Sequence, residues 1–276
     1  MIKPYYETEL GKLYHGDCCN VLSGLEQNSA HLIVTSPPYD KLRRYGGHRF
    51  KYQPVGMALR DILRVGGVLV WVIKDQTVNG SETATAALHK LYFKDCLGLN
   101  IHDTMIYEKN GPAYPSQNRY YEIFEYMIVF SKGIPETFNP IKDRKNRWYG
   151  QKWSNKRSRR NYEGDLKDSS WDKAEGGRFG VRFNSWKYNV GHGYSSKNKI
   201  AFEHPAIFPE ALARDHILSW SNKNDLVVDP MCGSGTVCDQ AEKLNRRWIG
   251  IEIEEKYCEI AAKRIEKERS QLKLWN

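Results

Sequence analysis

An apolar triplet, Leu226-Val227-Val228, runs into Asp229-Pro230-Met231-Cys232-Gly233-Ser234-Gly235-Thr236, and a second apolar run, Trp248-Ile249-Gly250-Ile251, ends on Glu252. Thr236 to Leu244, between them, predicts a helix, so the stretch reads as strand, glycine loop, helix and strand. Strands joined by a helical crossover lie parallel, and a parallel sheet needs both faces covered. This stretch alone commits the chain to an α/β architecture. The same signals recur upstream. His31-Leu32-Ile33-Val34-Thr35 predicts a buried strand stopped by Pro37-Pro38. Met57, Leu59, Ile62 and Leu63 give Val55 to Val65 a helical face, which Gly66-Gly67 is expected to end before a strand over Val68 to Ile73. Thr104 to Tyr107 and Ile123 to Phe130 predict two more strands, and Glu254 to Leu272 an amphipathic helix. Ligands of mostly parallel sheets bind beyond the carboxyl ends of the strands, so the loops after Thr35, Ile73, Val228 and Ile251 should share one rim.

The 276 residues accommodate one α/β core with an insertion. Three segments are expected: 1–132 and 200–276, which alternate strand and helix, and 133–199, which is irregular. Net charge supports the division. Lys142 to Lys199 holds 16 Lys/Arg against 6 Asp/Glu, leaving 26 against 27 elsewhere, so the overall +9 belongs to the insertion. Ten aromatics are interleaved with that charge: Trp148, Tyr149, Trp153, Tyr162, Trp171, Phe179, Phe183, Trp186, Tyr188 and Tyr194. Cations neutralise phosphates and aromatic faces stack on bases, so the mixture suits a nucleic-acid surface better than a plain solvated loop. Six cysteines form no C-x-x-C pair and have no histidine cluster beside them, which predicts free thiols and no metal site. No run of 18 apolar residues is present, which predicts a cytoplasmic protein without membrane attachment.

The loop from Asp229 to Thr236 lets backbone approach a ligand closely, and Glu252 is placed to hold ribose hydroxyls, so a nucleoside cofactor is expected. A nicotinamide dinucleotide competes for this reading. Against it, Cys238 replaces the third glycine of G-x-G-x-x-G, and Asp229 sets negative charge where a pyrophosphate would sit. S-adenosylmethionine has no phosphate and two cationic centres, so an acid beside it is favourable.

Thr35-Ser36-Pro37-Pro38-Tyr39 carries the second set of chemistry. The two prolines fix the loop, Ser36 Oγ and the Pro37 carbonyl offer hydrogen-bond acceptors, and Tyr39 offers a ring on which a base can stack. Methylating a base amino group requires a nitrogen whose lone pair is withdrawn from the ring, and fixed acceptors around the NH2 favour that geometry. Pro-Pro alone would read as a rigid turn; the acceptor before it and the aromatic after it argue for a site.

Together, Thr35-Ser36-Pro37-Pro38-Tyr39 and the later Asp229-x-x-x-Gly233-x-Gly235-Thr236 resemble the β class of amino-group DNA methyltransferases, in which the catalytic motif precedes a target-recognition region and the cofactor loop follows. The resemblance covers about 1–132 and 200–276 and implies an S-adenosylmethionine-dependent, Rossmann-like fold with permuted motif order. It places Ser36, Pro37, Pro38 and Tyr39 in catalysis, and Asp17, Asp229, Pro230, Cys232, Gly233, Gly235, Thr236 and Glu252 at the cofactor. Gly16-Asp17 resembles the motif whose acid meets the cofactor's adenine, although Asp17 also suits the N-cap of a helix over Cys18 to Leu25. His204-Pro205 with Phe208-Pro209 resembles a segment that encloses the methionine end, and Lys74-Asp75 could line a base pocket or form a surface turn. The substrate implied is double-stranded DNA with the target base flipped out, and a companion restriction endonuclease is a possible partner. Ser before the two prolines favours cytosine N4 as the acceptor. Adenine N6 is the alternative, followed by an RNA amino methyltransferase and a catalytically degenerate nucleic-acid-binding protein.

Overall fold

The computed structural model describes residues 2–38, 50–111, 118–147, 149–150, 156–161, 163–170, 177–204 and 206–273. In chain order the first half contains β1 (Tyr6–Glu7), β2 (Gly11–His15), α1 (Cys18–Leu22), β3 (Ala30–Thr35), α2 (Tyr52–Ile62), β4 (Leu63–Ile73), β5 (Thr77–Val78), β6 (Ser81–Glu82), α3 (Thr85–Leu91), β7 (Asn100–Lys109) and β8 (Phe124–Ser131). The second half contains β9 (Arg144–Lys145), β10 (Lys156–Arg160), β11 (Leu166–Ser170), β12 (Phe179–Gly180), β13 (Ser185–Tyr188), α4 (Glu210–Trp220), β14 (Leu226–Asp229), α5 (Thr236–Lys243), β15 (Arg247–Glu252) and α6 (Glu255–Lys273).

Nine strands form one sheet in the order β1-β2-β15-β14-β3-β4-β8-β7-β13. The run from β2 to β4 is parallel, β8 is antiparallel to both neighbours, and β7 points the same way as β4. This is the mostly parallel arrangement the alternating pattern implied. The core lies between sheet and helices: Leu69, Trp71, Ile73 and Phe130 are buried in β4 and β8, packed with Leu59 of α2 and Phe93. Trp71 keeps its ring nitrogen satisfied by donating to His89 Nδ1 at 3.2 Å.

Gly66 and Gly67 do not end a helix. Helix α2 stops at Ile62, and β4 runs through both glycines, taking in the Leu63 to Val65 stretch expected to be helical. The register of β3 against β4 shifts between Ala30 and Leu32, and Gly66 takes φ +79° there. A Cβ on Gly67 would sit 2.9 Å from the Arg64 carbonyl and 3.0 Å from that of Ala30. The pair serves a bulge and a close backbone approach.

Residues Pro140–Phe183 form a separate compact unit. It contains two short antiparallel ribbons, β10 with β11 and β9 with β12, where the sequence predicted only irregular chain. Lys156–Arg160 reads KRSRR, so no apolar alternation was present to announce the strand. The Arg182 guanidinium grips Asp143, with Nε 3.0 Å from Oδ2, and holds that carboxyl below its ordinary range. The Arg144 guanidinium lies 4.7 Å from the exposed Phe183 ring.

Two of the ten interleaved aromatics belong to the main sheet instead. Trp186 in β13 is buried with its ring 4.6 Å from that of His216, and Tyr188 donates to Asp215 Oδ2 at 2.8 Å. Tyr149, Phe179, Phe183 and Tyr194 are exposed, whereas Trp148, Trp153, Tyr162 and Trp171 lie outside the described residues. All six cysteines are free thiols. No helix among the described residues is long and apolar enough to cross a membrane.

Candidate active site

The carboxyl ends of the parallel strands open onto one cleft of about 1090 Å³. Sheet order arranges its lining in sequence along the rim: Asp17 after β2, Glu252 ending β15, Asp229 ending β14, Ser36 after β3, Lys74 after β4, then Glu125 of β8 and Lys109 ending β7. The loop after Thr35 thus sits between an acidic half built by β2, β15 and β14 and a second half built by β4, β8 and β7.

In the acidic half, Gly233 turns the loop with φ +52°, and its amide donates to Glu252 Oε2 at 2.8 Å. The other Glu252 oxygen accepts from Glu254 N at 2.9 Å. Burial pushes the Glu252 carboxyl up, against the pull of these amides. A Cβ on Gly233 would come within 2.9 Å of His204 Nε2, so only glycine fits beneath that ring. Gly235 does not line the cleft: a Cβ there would strike Ala261 at 2.7 Å, so it serves the packing of α5 against α6. Pro230, Cys232 and Thr236 line the cleft with their loop. Hydrogen bonding with Cys238 and burial push the Cys232 thiol well up, so it behaves as a small protonated core side chain. Asp17 caps α1, accepting from Asn20 N at 3.1 Å, and also lines the cleft.

Asp229 joins the two motifs. Its Oδ1 accepts from Thr35 Oγ1 at 2.8 Å and from Met231 N at 3.2 Å, binding residues 194 positions apart. Burial pushes this carboxyl up to about 7, against the opposing pull of the Thr35 hydroxyl. Thr35 therefore does more than end a strand: it ties the Ser36-Pro37-Pro38 loop to the acidic half. Pro37 is buried, Ser36 and Pro38 are half-buried, and all three line the cleft. Tyr39 lies outside the described residues.

Arg264 anchors the glycine loop from behind. It is 1% exposed, and its NH1 donates to Ser234 O at 2.6 Å, Ser234 Oγ at 2.9 Å and Thr236 Oγ1 at 3.1 Å, while NH2 reaches Glu210 Oε1 at 3.1 Å. A signal for it existed in the sequence: Arg264 falls on the apolar stripe of α6, beside Cys258, Ala261 and Ile265, where a cation needs an internal partner. His204, Phe208 and Pro209 line the cleft, and the His204 ring meets Tyr257 edge-on at 4.3 Å, whereas Pro205 lies outside the described residues. Lys74 lines the cleft and pairs with Glu122 at 2.8 Å, whereas Asp75 turns away to accept from Ala86 N. Tyr107, Lys109 and Glu125 also reach the cleft and carry no motif that marks them in the sequence.

This arrangement is similar to solved methyltransferases. The PvuII DNA methyltransferase (cytosine-N4-specific) superposes with a TM-score of 0.69 over 97% of this chain and 93% of that one, at 20% identity. The complex of M1.HpyAVI with SAM gives a TM-score of 0.60 over 92% of this chain and 99% of that one, at 19% identity. At such identities the likeness establishes the fold, that of the S-adenosylmethionine-dependent DNA methyltransferases. Sequence relationships go further. The orphan methyltransferase M.BamHII of Bacillus amyloliquefaciens is 51% identical over 235 residues, spanning 85% of this chain and 88% of that protein. The type II methyltransferase M.BglII of Bacillus subtilis is 26% identical over 262 residues, spanning 91% and 68%. The DNA methylase family profile matches residues 30–263. The chain belongs to this N6/N4 family of DNA amino-methyltransferases.

Proposed function

We propose that the chain methylates the N4 amino group of cytosine in double-stranded DNA, with Ser36, Pro37, Pro38 and Tyr39 at the reacting base and S-adenosylmethionine in the acidic half of the cleft. The observation that carries the placement is the Thr35–Asp229 hydrogen bond, which fixes an acceptor-bearing loop to the wall of the acidic half. Bound there, S-adenosylmethionine supplies a methyl group on a sulfonium, activated toward a nucleophile. The residues present fit it: Asp229 and Glu252 are buried acids suited to a ligand with cationic centres and ribose hydroxyls, and Gly233 admits close backbone approach. Asp17 is assigned to the adenine, and Pro230, Cys232 and Thr236 to the loop that encloses the ligand.

Ser36 Oγ and the Pro37 carbonyl accept hydrogen bonds from the target amino group and withdraw its lone pair from the ring, which favours the nucleophilic form. Two prolines hold these acceptors in place before the base arrives, so little reorganisation is needed. No strong general base is required, because the nitrogen becomes acidic as the methyl is attached and its proton leaves to solvent. Serine rather than aspartate before the prolines supports cytosine over adenine, and the cytosine-N4-specific PvuII enzyme shares the fold. The basic segment 133–199, with its exposed arginine and aromatic side chains, is assigned to the DNA backbone and recognition sequence.

Incubation with methyl-labelled S-adenosylmethionine and duplex DNA, followed by digestion to nucleosides, tests the reading. Label in N4-methylcytosine is expected. Label in N6-methyladenine would overturn the choice of base, and label in 5-methylcytosine the whole chemistry.

A further inference from the structure

The half of the cleft beyond Ser36 contains a feature that the methyl-transfer chemistry leaves unused. Lys109 and Glu125 form an ion pair on the cleft wall, with side chains only 20% and 12% exposed. Beneath it lies Tyr107, which is buried and places its ring 5.7 Å from Lys109 Nζ. Desolvating two charges costs about as much as their attraction returns, so a pair in this position is weak evidence for stability. It does present an oriented donor and acceptor to whatever enters the cleft.

We propose that the Lys109–Glu125 pair is the polar end of the target-base pocket and selects cytosine; the inference rests on the cytosine-N4 reading above. When the amino group faces Ser36 and Pro37, the next two positions on a cytosine edge are N3 and O2, both acceptors. An ammonium has three hydrogens, and among the described residues only Glu125 takes one from Lys109, so it has donors for that edge. Adenine in the same pose offers one acceptor and then a C–H. Sheet order sets the pair across the cleft from Ser36: β4 separates β3 from the Glu125 strand β8, and Lys109 ends β7, the strand after it. Glu125 has a second use. The amino nitrogen gains positive charge as the methyl arrives, and an unpaired ammonium nearby would oppose it. Glu125 keeps the donor while cancelling its charge.

Lys109→Met combined with Glu125→Leu separates this role from a structural one, since an apolar pair of similar volume replaces both members of the ion pair together. The expected result is unchanged thermal stability and unchanged affinity for S-adenosylhomocysteine, with kcat/KM on DNA lowered about 10- to 100-fold, the loss of a charged hydrogen bond. Once sequencing maps the methylated position, the double variant should bind an oligonucleotide abasic at that position as tightly as the unaltered enzyme, and the intact oligonucleotide more weakly. Wild-type activity in the double variant, or an equal loss of affinity for both oligonucleotides, would overturn the proposal. The nucleoside made by the unaltered enzyme tests the underlying reading separately: N6-methyladenine would remove the cytosine assignment itself, whatever the variants do.

Discussion

Asp229→Asn should change the pH dependence of cofactor affinity. The carboxyl is pushed up to about 7 by burial, so near pH 6 about nine molecules in ten hold it protonated. A ligand with cationic centres favours the ionised form, and binding must then displace the proton. Apparent Kd scales as one plus the ratio of protonated to ionised carboxyl, about 11 at pH 6, 2 at pH 7 and 1.1 at pH 8. Affinity should therefore improve about tenfold from pH 6 to pH 8. In the free enzyme the folded state holds this proton more tightly than the unfolded chain, whose carboxyl titrates near 3.8. The group's contribution to stability is thus full below about pH 4 and is lost as pH rises through 7, up to about 4 kcal/mol in all. Calorimetric titration with S-adenosylhomocysteine across this range, in buffers of different ionisation enthalpy, reads both affinity and protons released. S-adenosylhomocysteine keeps one cationic centre, its ammonium, and the comparison with Asp229→Asn separates the carboxyl's titration from any titration of the ligand. The variant should bind more weakly at pH 8 and lose the rise below it. An unaltered enzyme whose affinity is flat between pH 6 and 8, or a variant that keeps the same slope, would refute the assignment of Asp229 to the cofactor.

Gly233→Ala places a Cβ 2.9 Å from His204 in a backbone of φ +52°, so a stability loss of about 1–2 kcal/mol and cofactor binding weaker by more than tenfold are expected from denaturant melts and calorimetry. Arg264→Leu strands the buried Ser234 carbonyl and takes the cation away from Glu210, and should cost about 3–5 kcal/mol in the same melts, with weaker cofactor binding because the loop loses its anchor. Removing lysines and arginines from 133–199 should reduce the slope of log K against log salt by about 0.9 for each DNA phosphate that is no longer neutralised, measured by fluorescence anisotropy on duplex DNA. An unchanged slope would count against that segment as the DNA surface.

What the sequence determined by itself was local. Prolines 37 and 38 restrict their own dihedrals, Gly233 marks a left-handed turn through its missing Cβ, and short apolar runs mark buried strands, so both motifs and their strand-end positions were legible. Where local signals had two meanings, tertiary context chose. Gly66-Gly67 proved to be a strand bulge, Trp186 joined the main sheet through the pairing of β13 with β7, and the strands of the basic unit had no alternation to reveal them. Only the fold decided how distant residues meet: Thr35 with Asp229, Arg264 with the glycine loop, Lys109 with Glu125. Hydrogen bonds and ion pairs act over a few ångströms, and the strand order that sets those distances comes from packing the whole sheet, which no stretch of sequence encodes alone.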